Sequence, residues 1–190
     1  MGMDVAPEVL GASAAVLDAA RRASVNYADR AAANTDRSGF VPQSLPDGVV
    51  FAESVADVVQ AVELAAAHKV PLVPRGAGTG LAGASSASAG EVVLDLSRMN
   101  RILSVDPVEQ IAVVEPGVLN AHLNTAVAEH GLFYAPDPAS TAICSIGGNI
   151  ATNAGGMRCA KYGVTRESVL GLRVVLADGR ELRTGRDTIK

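Results

Sequence analysis

The stretch PRGAGTGLAGAS, residues 74–85, decides the fold, because its clustered glycines directly follow a short apolar run. The spacing Gly78-x-Gly80-x-x-Gly83 formally matches the dinucleotide fingerprint. That fingerprint needs a helix opening among the glycines and an acidic residue about 20 positions later. An Ala/Ser-rich run and an apolar strand follow instead, and Asp95 comes too early. The sequence thus argues against a nicotinamide Rossmann motif, and no Lys-Ser/Thr pair completes a P-loop.

These glycines still indicate a binding loop. Successive backbone N–H groups in a glycine-rich turn form a concavity that binds anions, and a pyrophosphate is the natural guest. Arg75 lies beside the loop and Thr79 adds a hydroxyl donor. The alternative is a tight structural loop that joins one strand to the next.

A second glycine cluster favours the binding loop over the purely structural loop. The segment PDPAS (136–140) leads into SIGGNIATNAGG (145–156), which combines four glycines with Asn and Thr side chains. Such a run offers many backbone donors together with amide and hydroxyl groups. Because each matched buried hydrogen bond contributes about 1 kcal/mol, the pattern suits a polar planar ligand with several hydrogen-bonding edges.

Around the first cluster, the hydrophobic pattern predicts a small α/β layer. A helix is predicted over 7–22 and a loop or extended connector over 26–48. A Ser54 cap starts a helix that ends near Lys69. The predicted strands cover 49–52, 70–74 and 91–96.

The second half changes character and predicts another subdomain, with a seam near 97–100. Two hairpins are expected, 101–105 with 110–115 and 169–177 with 181–184. An amphipathic helix is predicted over 117–130, followed by a long irregular stretch, 135–163, of the kind that is usually functional.

Composition excludes several classes of function. The 190 residues carry a formal charge of −4 and 3% aromatic residues, which argues against a nucleic-acid surface. Apolar runs are too short for a transmembrane segment, and the N-terminus lacks a signal-peptide pattern. Cys144 and Cys159 fit a reducing compartment and are expected to pack as small hydrophobes. The expected location is therefore cytoplasmic, with peripheral attachment to the inner face of the membrane left open. The three histidines show no metal-ligand spacing, so no metal is predicted.

The motifs PRGAGTGLAG, PDPAS, IGGNIATNAGG and KYGVTRESVLGLRVVLADG occur in this order. With them the chain resembles the FAD-binding domain of the vanillyl-alcohol oxidase/p-cresol methylhydroxylase (PCMH-type) superfamily. Within it, the chain is most similar to the FAD-linked 2-hydroxyacid dehydrogenase branch, which includes glycolate oxidase and D-lactate dehydrogenase. The resemblance implies an α+β fold of two α/β subdomains with FAD in the cleft between them. The expected domains are an N-terminal helical arm and connector, 1–44, and an FAD-binding domain, 45–190.

The resemblance also implies roles for residues. Residues 75–80 are expected to wrap the FAD pyrophosphate through backbone amides. Some relatives bind FAD covalently through a His at the position of Thr79, so FAD is expected to be non-covalent here. The expected FAD contacts are Pro74, Arg75, Gly76, Ala77, Gly78, Thr79, Gly80 and Leu81 around the pyrophosphate; Gly147, Gly148 and Asn149 at the pyrophosphate or ribityl; Pro138, Ser140, Thr152, Ala154 and Gly156 on the flavin side; and Glu167 and Val174 near the adenine or the flavin edge.

For function, the resemblance implies oxidation of a small 2-hydroxy acid, D-lactate or glycolate, by hydride transfer to the flavin. Electrons would pass to a quinone, a cytochrome or a partner flavoprotein. The catalytic base and any metal are expected in a cap domain beyond Lys190, so the chain is expected to be an inactive N-terminal fragment and no catalytic residue is predicted. The alternatives are a cofactor-free interaction module of the same fold and an NAD-dependent dehydrogenase.

Overall fold

The computed structural model describes residues 11–185. Its helices are α1 Ala12–Ala19, α2 Tyr27–Ala33, α3 Val55–His68, α4 Asn120–Ala128, α5 Ile146–Thr152 and α6 Cys159–Tyr162, with a 3-10 turn at Thr165–Ser168. Its strands are β1 Ala23–Ser24, β2 Gly48–Phe51, β3 Leu72–Arg75, β4 Val92–Asp95, β5 Ile102–Asp106, β6 Ile111–Val114, β7 Gly171–Val175 and β8 Glu181–Gly185. Across this part of the chain, no helix has the length and apolarity needed to cross a membrane.

A four-stranded sheet in the order β1-β2-β4-β3 organises the first subdomain. β2, β4 and β3 are parallel, and β1 pairs antiparallel with β2. Successive side chains of a strand point to opposite faces. Accordingly Val50 and Val92 join one buried cluster, whereas Val49 and Val93 join another on the opposite face. Both faces are therefore covered, as is usual for parallel strands.

Helices α1 and α3 cover one face of this sheet, and α2 lies on the other. The loop predicted over 26–48 is partly wrong, because α2 forms inside it. Asn26 caps this helix by accepting a hydrogen bond from the Asp29 backbone N–H at 2.8 Å. Burial of Ala33 against the sheet stabilises a helix that is too short to show a clear period in the sequence.

The predicted α3 is confirmed, with small changes at the neighbouring strands. The Ser54 hydroxyl accepts from the Asp57 backbone N–H, and Lys69 ends the helix in the left-handed conformation. Of the helix predicted over 7–22, residues 7–10 lie outside the described residues, and 12–19 are helical within 11–22.

A separate core supports the second subdomain. The β5–β6 hairpin packs on α4 and the start of α5 through Val118, Leu123, Val127 and Ile146. The first core ends at Met99, whose carbonyl accepts a hydrogen bond from the Gly117 N–H at 2.7 Å. The change from the first core to the second falls between Met99 and Ile102, beside the seam predicted near 97–100.

The stretch 135–163 is less irregular than predicted, since it contains α5 and α6. Both are short and glycine-flanked, so neither shows a helical hydrophobic period. The β7–β8 hairpin is confirmed. Cys144 is buried as expected, but Cys159 is exposed, because the four-residue α6 that carries it buries no residue.

An ion pair beside the seam makes stability depend on pH. Its Arg101 guanidinium donates to the Glu115 carboxylate at 2.6 Å and holds the pKa of Glu115 below its ordinary 4.5. A depressed carboxyl pKa stabilises the fold above the ordinary value, and this contribution is lost as pH falls through the lowered pKa. Glu115→Gln is therefore expected to cost most above pH 4.5 and progressively less in acid. Urea unfolding of both proteins at several pH values measures this, and a pH-independent difference would contradict it.

Candidate functional site

The two glycine clusters meet in the folded chain. The first begins where β3 ends, at Arg75, and the second runs through α5, with Gly147 and Gly148 in the first turn of that helix. A Cβ built on Gly76 would lie 2.6 Å from the Ser145 hydroxyl and 3.7 Å from the Gly148 backbone nitrogen. Residues that are far apart in sequence thus face each other across a gap that only glycine leaves free. Ligands of open α/β sheets bind at such carboxyl ends of strands.

The first turn of α5 is held from behind by residues 116–118. Backbone N–H groups of Ile146 and Gly147 each donate at 2.8 Å, to the carbonyls of Val118 and Pro116. A Cβ on Gly147 would lie 2.7 Å from the Pro116 Cβ, so Gly147 allows this packing. The sequence predicted Gly147 as a cofactor contact, and the structure gives it this support role as well.

Gly148 and Asn149 lie on different sides of this turn. A Cβ on Gly148 would have one close neighbour, the Ser145 hydroxyl at 3.1 Å. Asn149 is only 2% exposed, and its amide nitrogen lacks a hydrogen-bond partner among the described residues. Its side chain lies close to the Tyr134 hydroxyl, whose pKa is raised by burial and lowered by the Thr165 and Asn149 side chains, so Asn149 stays a prediction as a cofactor contact.

The PDPAS segment joins the end of the second cluster. A Cβ on Gly156 would collide with the backbone carbonyl of Asp137. The Asp137 carboxylate accepts from the Arg158 backbone N–H at 3.0 Å, and the Ala154 carbonyl accepts from the Thr165 hydroxyl at 2.7 Å. Residues around Pro138 and those at 154–156 are therefore adjacent, as their shared assignment to the flavin side requires.

Other predicted contacts make different interactions. The Glu167 carboxylate accepts from the Val164 N–H at 2.8 Å, Val174 pairs with Leu182 in the last hairpin, and Leu81 is 79% exposed. The Thr152 hydroxyl donates to the Gly148 carbonyl within α5. These residues stay predictions as cofactor contacts.

A support for the first loop was missed by sequence reasoning. The segment 34–38 lies beneath it, where the Arg37 N–H donates to the Gly80 carbonyl at 2.9 Å. Burial alone would raise the pKa of Asp36, but the hydrogen bond from Ser38 and the nearby backbones of Ser85 and Gly83 lower it below its ordinary value. The polar run NTDRS at 34–38 was the available signal, since such residues favour side-chain-to-backbone turns.

The residues present fit an elongated dinucleotide. Glycine backbones from two segments leave a cradle that a Cβ at Gly76 would fill. No helix forms over 76–91, which confirms that the glycine spacing does not open a Rossmann helix.

Comparisons with known proteins identify relatives of this chain. The chain is 46% identical over 143 residues to glycolate oxidase subunit GlcD of Bacillus subtilis, covering 75% of this chain and 30% of that protein. It is 44% identical over 145 residues to D-2-hydroxyglutarate dehydrogenase of Stutzerimonas stutzeri, covering 76% and 31%. The chain thus spans about three tenths of the length of these relatives.

The fold matches that of a solved structure of p-cresol methylhydroxylase with substrate bound. The TM-score is 0.71 at 28% identity, covering 86% of this chain and 32% of that chain. The expected PCMH-type fold is thereby confirmed. A family model described as FAD binding domain matches residues 46–185. The chain therefore belongs to this family of FAD binding domains, and its cofactor is FAD.

Proposed function

We propose that this chain binds FAD non-covalently between residues 76–80 and the first turn of α5, as the flavin-binding part of an enzyme that oxidises a small 2-hydroxy acid. The observation that carries the proposal is the approach of Gly76 to Ser145 and Gly148. When bound, FAD supplies the hydride acceptor. The chain's own residues bind, orient and enclose it.

The glycine backbones do the binding. The three glycines among residues 76–80 leave room for backbone N–H groups to reach a diphosphate. Thr79 is part of this loop. Its side chain ends in a hydroxyl and has no imidazole of the kind through which some relatives attach the flavin covalently. Release of all the flavin on denaturation would support non-covalent binding, whereas flavin that stays with the polypeptide would oppose it.

The substrate class rests on the relatives, whose names specify glycolate and D-2-hydroxyglutarate. Both compounds carry a hydroxyl next to a carboxylate. We place D-lactate and glycolate in the same class and infer a quinone, a cytochrome or a partner flavoprotein as electron acceptor. Because the matched region is about three tenths of each relative, the substrate contacts are assigned to the rest of the whole protein.

Two measurements test this proposal. First, FAD is titrated into the purified chain and followed by quenching of flavin fluorescence, with FMN as a comparison that lacks the diphosphate bridge. Saturable binding of FAD in preference to FMN is expected, and absence of FAD binding would refute the site.

Second, the whole protein is assayed with an artificial electron acceptor and glycolate, D-lactate or D-2-hydroxyglutarate. Reduction with none of them would refute the substrate class.

Gly148→Ala is expected to separate cofactor binding from folding. Alanine at a helical glycine adds up to about 1 kcal/mol of helix propensity, which offsets the tight approach to the Ser145 hydroxyl at 3.1 Å. The free energy of unfolding without FAD should therefore change by less than about 1 kcal/mol. The added methyl faces the cradle, so the Kd for FAD should rise about tenfold or more.

Fluorescence titration and urea unfolding measure the two quantities. Ala151→Gly, in the same helix at an exposed position, is the control, because it changes helix propensity in the opposite direction away from the cradle. An unchanged Kd for Gly148→Ala would remove Gly148 from the site.

A further inference from the structure

The side chain of Arg75 lies under the first glycine loop and binds main-chain carbonyls from separate segments. One terminal nitrogen donates to the carbonyls of Thr35 and Ala32, at 2.9 and 3.2 Å. The other donates to those of Ser85 and Ala33, at 2.9 and 3.5 Å. The guanidinium thereby connects the end of α2, the segment that follows it and the far end of the glycine loop.

The same guanidinium lies directly against Gly78. A Cβ built there would fall 2.6 Å from the Arg75 Cζ and closer still to one terminal nitrogen. Gly78 has a φ of +64°, a conformation that glycine adopts at no steric cost. The loop therefore passes over the planar face or edge of a cation with no side chain between them.

The charge of Arg75 lies near two carboxylates. Burial lowers the pKa of Arg75, while the nearby Asp95 and Asp36 raise it; an arginine stays protonated in proteins. The hydrogen bonds of its two terminal nitrogens go to neutral carbonyls. The field of a partly buried cation is screened less than that of an exposed one.

A purely structural role would be to cap α2, because cations bind the unpaired carbonyls at helix C-termini. The contacts to Ser85 and against Gly78 exceed that role, since both residues belong to the loop after β3. Lysine could supply the charge but not the fork that reaches several carbonyls at once.

We propose that Arg75 is a positioning residue for the FAD diphosphate. It acts through the main chain of 76–80, by holding the loop in its binding shape. This inference rests on the proposed function, and it predicts that Arg75 affects the diphosphate and not the adenosine part of the ligand.

The test is calorimetric binding of FAD, ADP and adenosine to the chain and to Arg75→Lys. The matched control is Arg30→Lys, because Arg30 lies on α2 and donates to the Pro46 carbonyl at 2.6 Å. Arg75→Lys should weaken FAD and ADP about tenfold, which is about 1.4 kcal/mol, and leave adenosine unchanged. The phosphorus NMR shifts of bound FAD should also move in Arg75→Lys and not in Arg30→Lys.

The remaining outcomes of these experiments would overturn either the role of Arg75 or the proposed FAD site. Equal behaviour of the two lysine variants, or an equal loss for ADP and adenosine, would overturn the role of Arg75 while FAD binding by the unaltered chain upholds the proposed function. No FAD binding by the unaltered chain would overturn both. If Arg75→Lys fails to fold, Gly78→Ala presses on the guanidinium from the loop side and should give the same selective loss. Gly90→Ala, with a φ of +85° in open space, controls for backbone strain.

Discussion

Gly76→Val is expected to abolish uptake of FAD. The new Cβ would lie 2.6 Å from the Ser145 hydroxyl, which caps α5 by accepting the Gly148 N–H at 3.3 Å. Ser145 is 2% exposed and has little room to move. The valine methyl groups would therefore separate the loop from α5 and fill the space where the cofactor backbone passes. The loss concerns binding more than folding, because the loop lies at the edge of the sheet and not in either of its buried clusters.

Flavin content after reconstitution and the Kd from fluorescence quenching measure this effect. The Kd should rise by more than about a hundredfold, which is about 2.7 kcal/mol. Ala89→Val adds the same side chain at an exposed position of the following segment and should leave FAD binding unchanged. Normal flavin content in Gly76→Val would mean that the two glycine clusters do not share a ligand.

Gly156→Ala is expected to give the largest loss of stability. Its Cβ would collide with the Asp137 carbonyl group, which belongs to the backbone and cannot rotate away. The Arg158 N–H holds the Asp137 carboxylate at 3.0 Å, so the two segments cannot separate without breaking that hydrogen bond. Overpacking of this kind costs about 1–3 kcal/mol or more, and residues 136–140 should also lose their position beside Ala154.

Urea unfolding of the chain measures the loss. Gly131→Ala is a useful comparison, because Gly131 has a φ of +71° and open space around the missing Cβ. It reports the cost of a left-handed alanine, about 1–2 kcal/mol. Gly156 does not have a positive φ, so any loss at Gly156 arises from the Asp137 contact. Equal or smaller destabilisation than in Gly131→Ala would show that the PDPAS segment is not held against Gly156.

Local patterns were sufficient for the elements of the first subdomain. The apolar runs of β2 and β4, the Ser54 cap and the period of α3 are all encoded within a few residues, and the structure confirms them. The secondary-structure predictions that failed concern short helices. α2, α5 and α6 have four to seven residues, so their helical state depends on caps and on burial against other segments.

The candidate site likewise contains residues that the sequence indicated and residues that only the structure revealed. The glycines of both clusters, Asn149 and the PDPAS segment were visible in the sequence, and their order indicated the family. Arg75 was visible too, but its partners Ala32, Thr35 and Ser85 offer only backbone carbonyls, which carry no sequence signal. Asp36 was missed for a related reason, since it lies in a segment whose closeness to the loop depends on the whole sheet.

By itself, the sequence determined the cofactor class and the two glycine-rich stretches that we propose as its binding site, because positions that exclude a Cβ must be glycine. Only the tertiary structure decided which glycine faces which neighbour: Gly76 faces Ser145, Gly78 faces Arg75 and Gly156 faces Asp137. The physical reason is that a missing side chain is encoded locally, whereas the atom that requires its absence comes from a distant part of the chain.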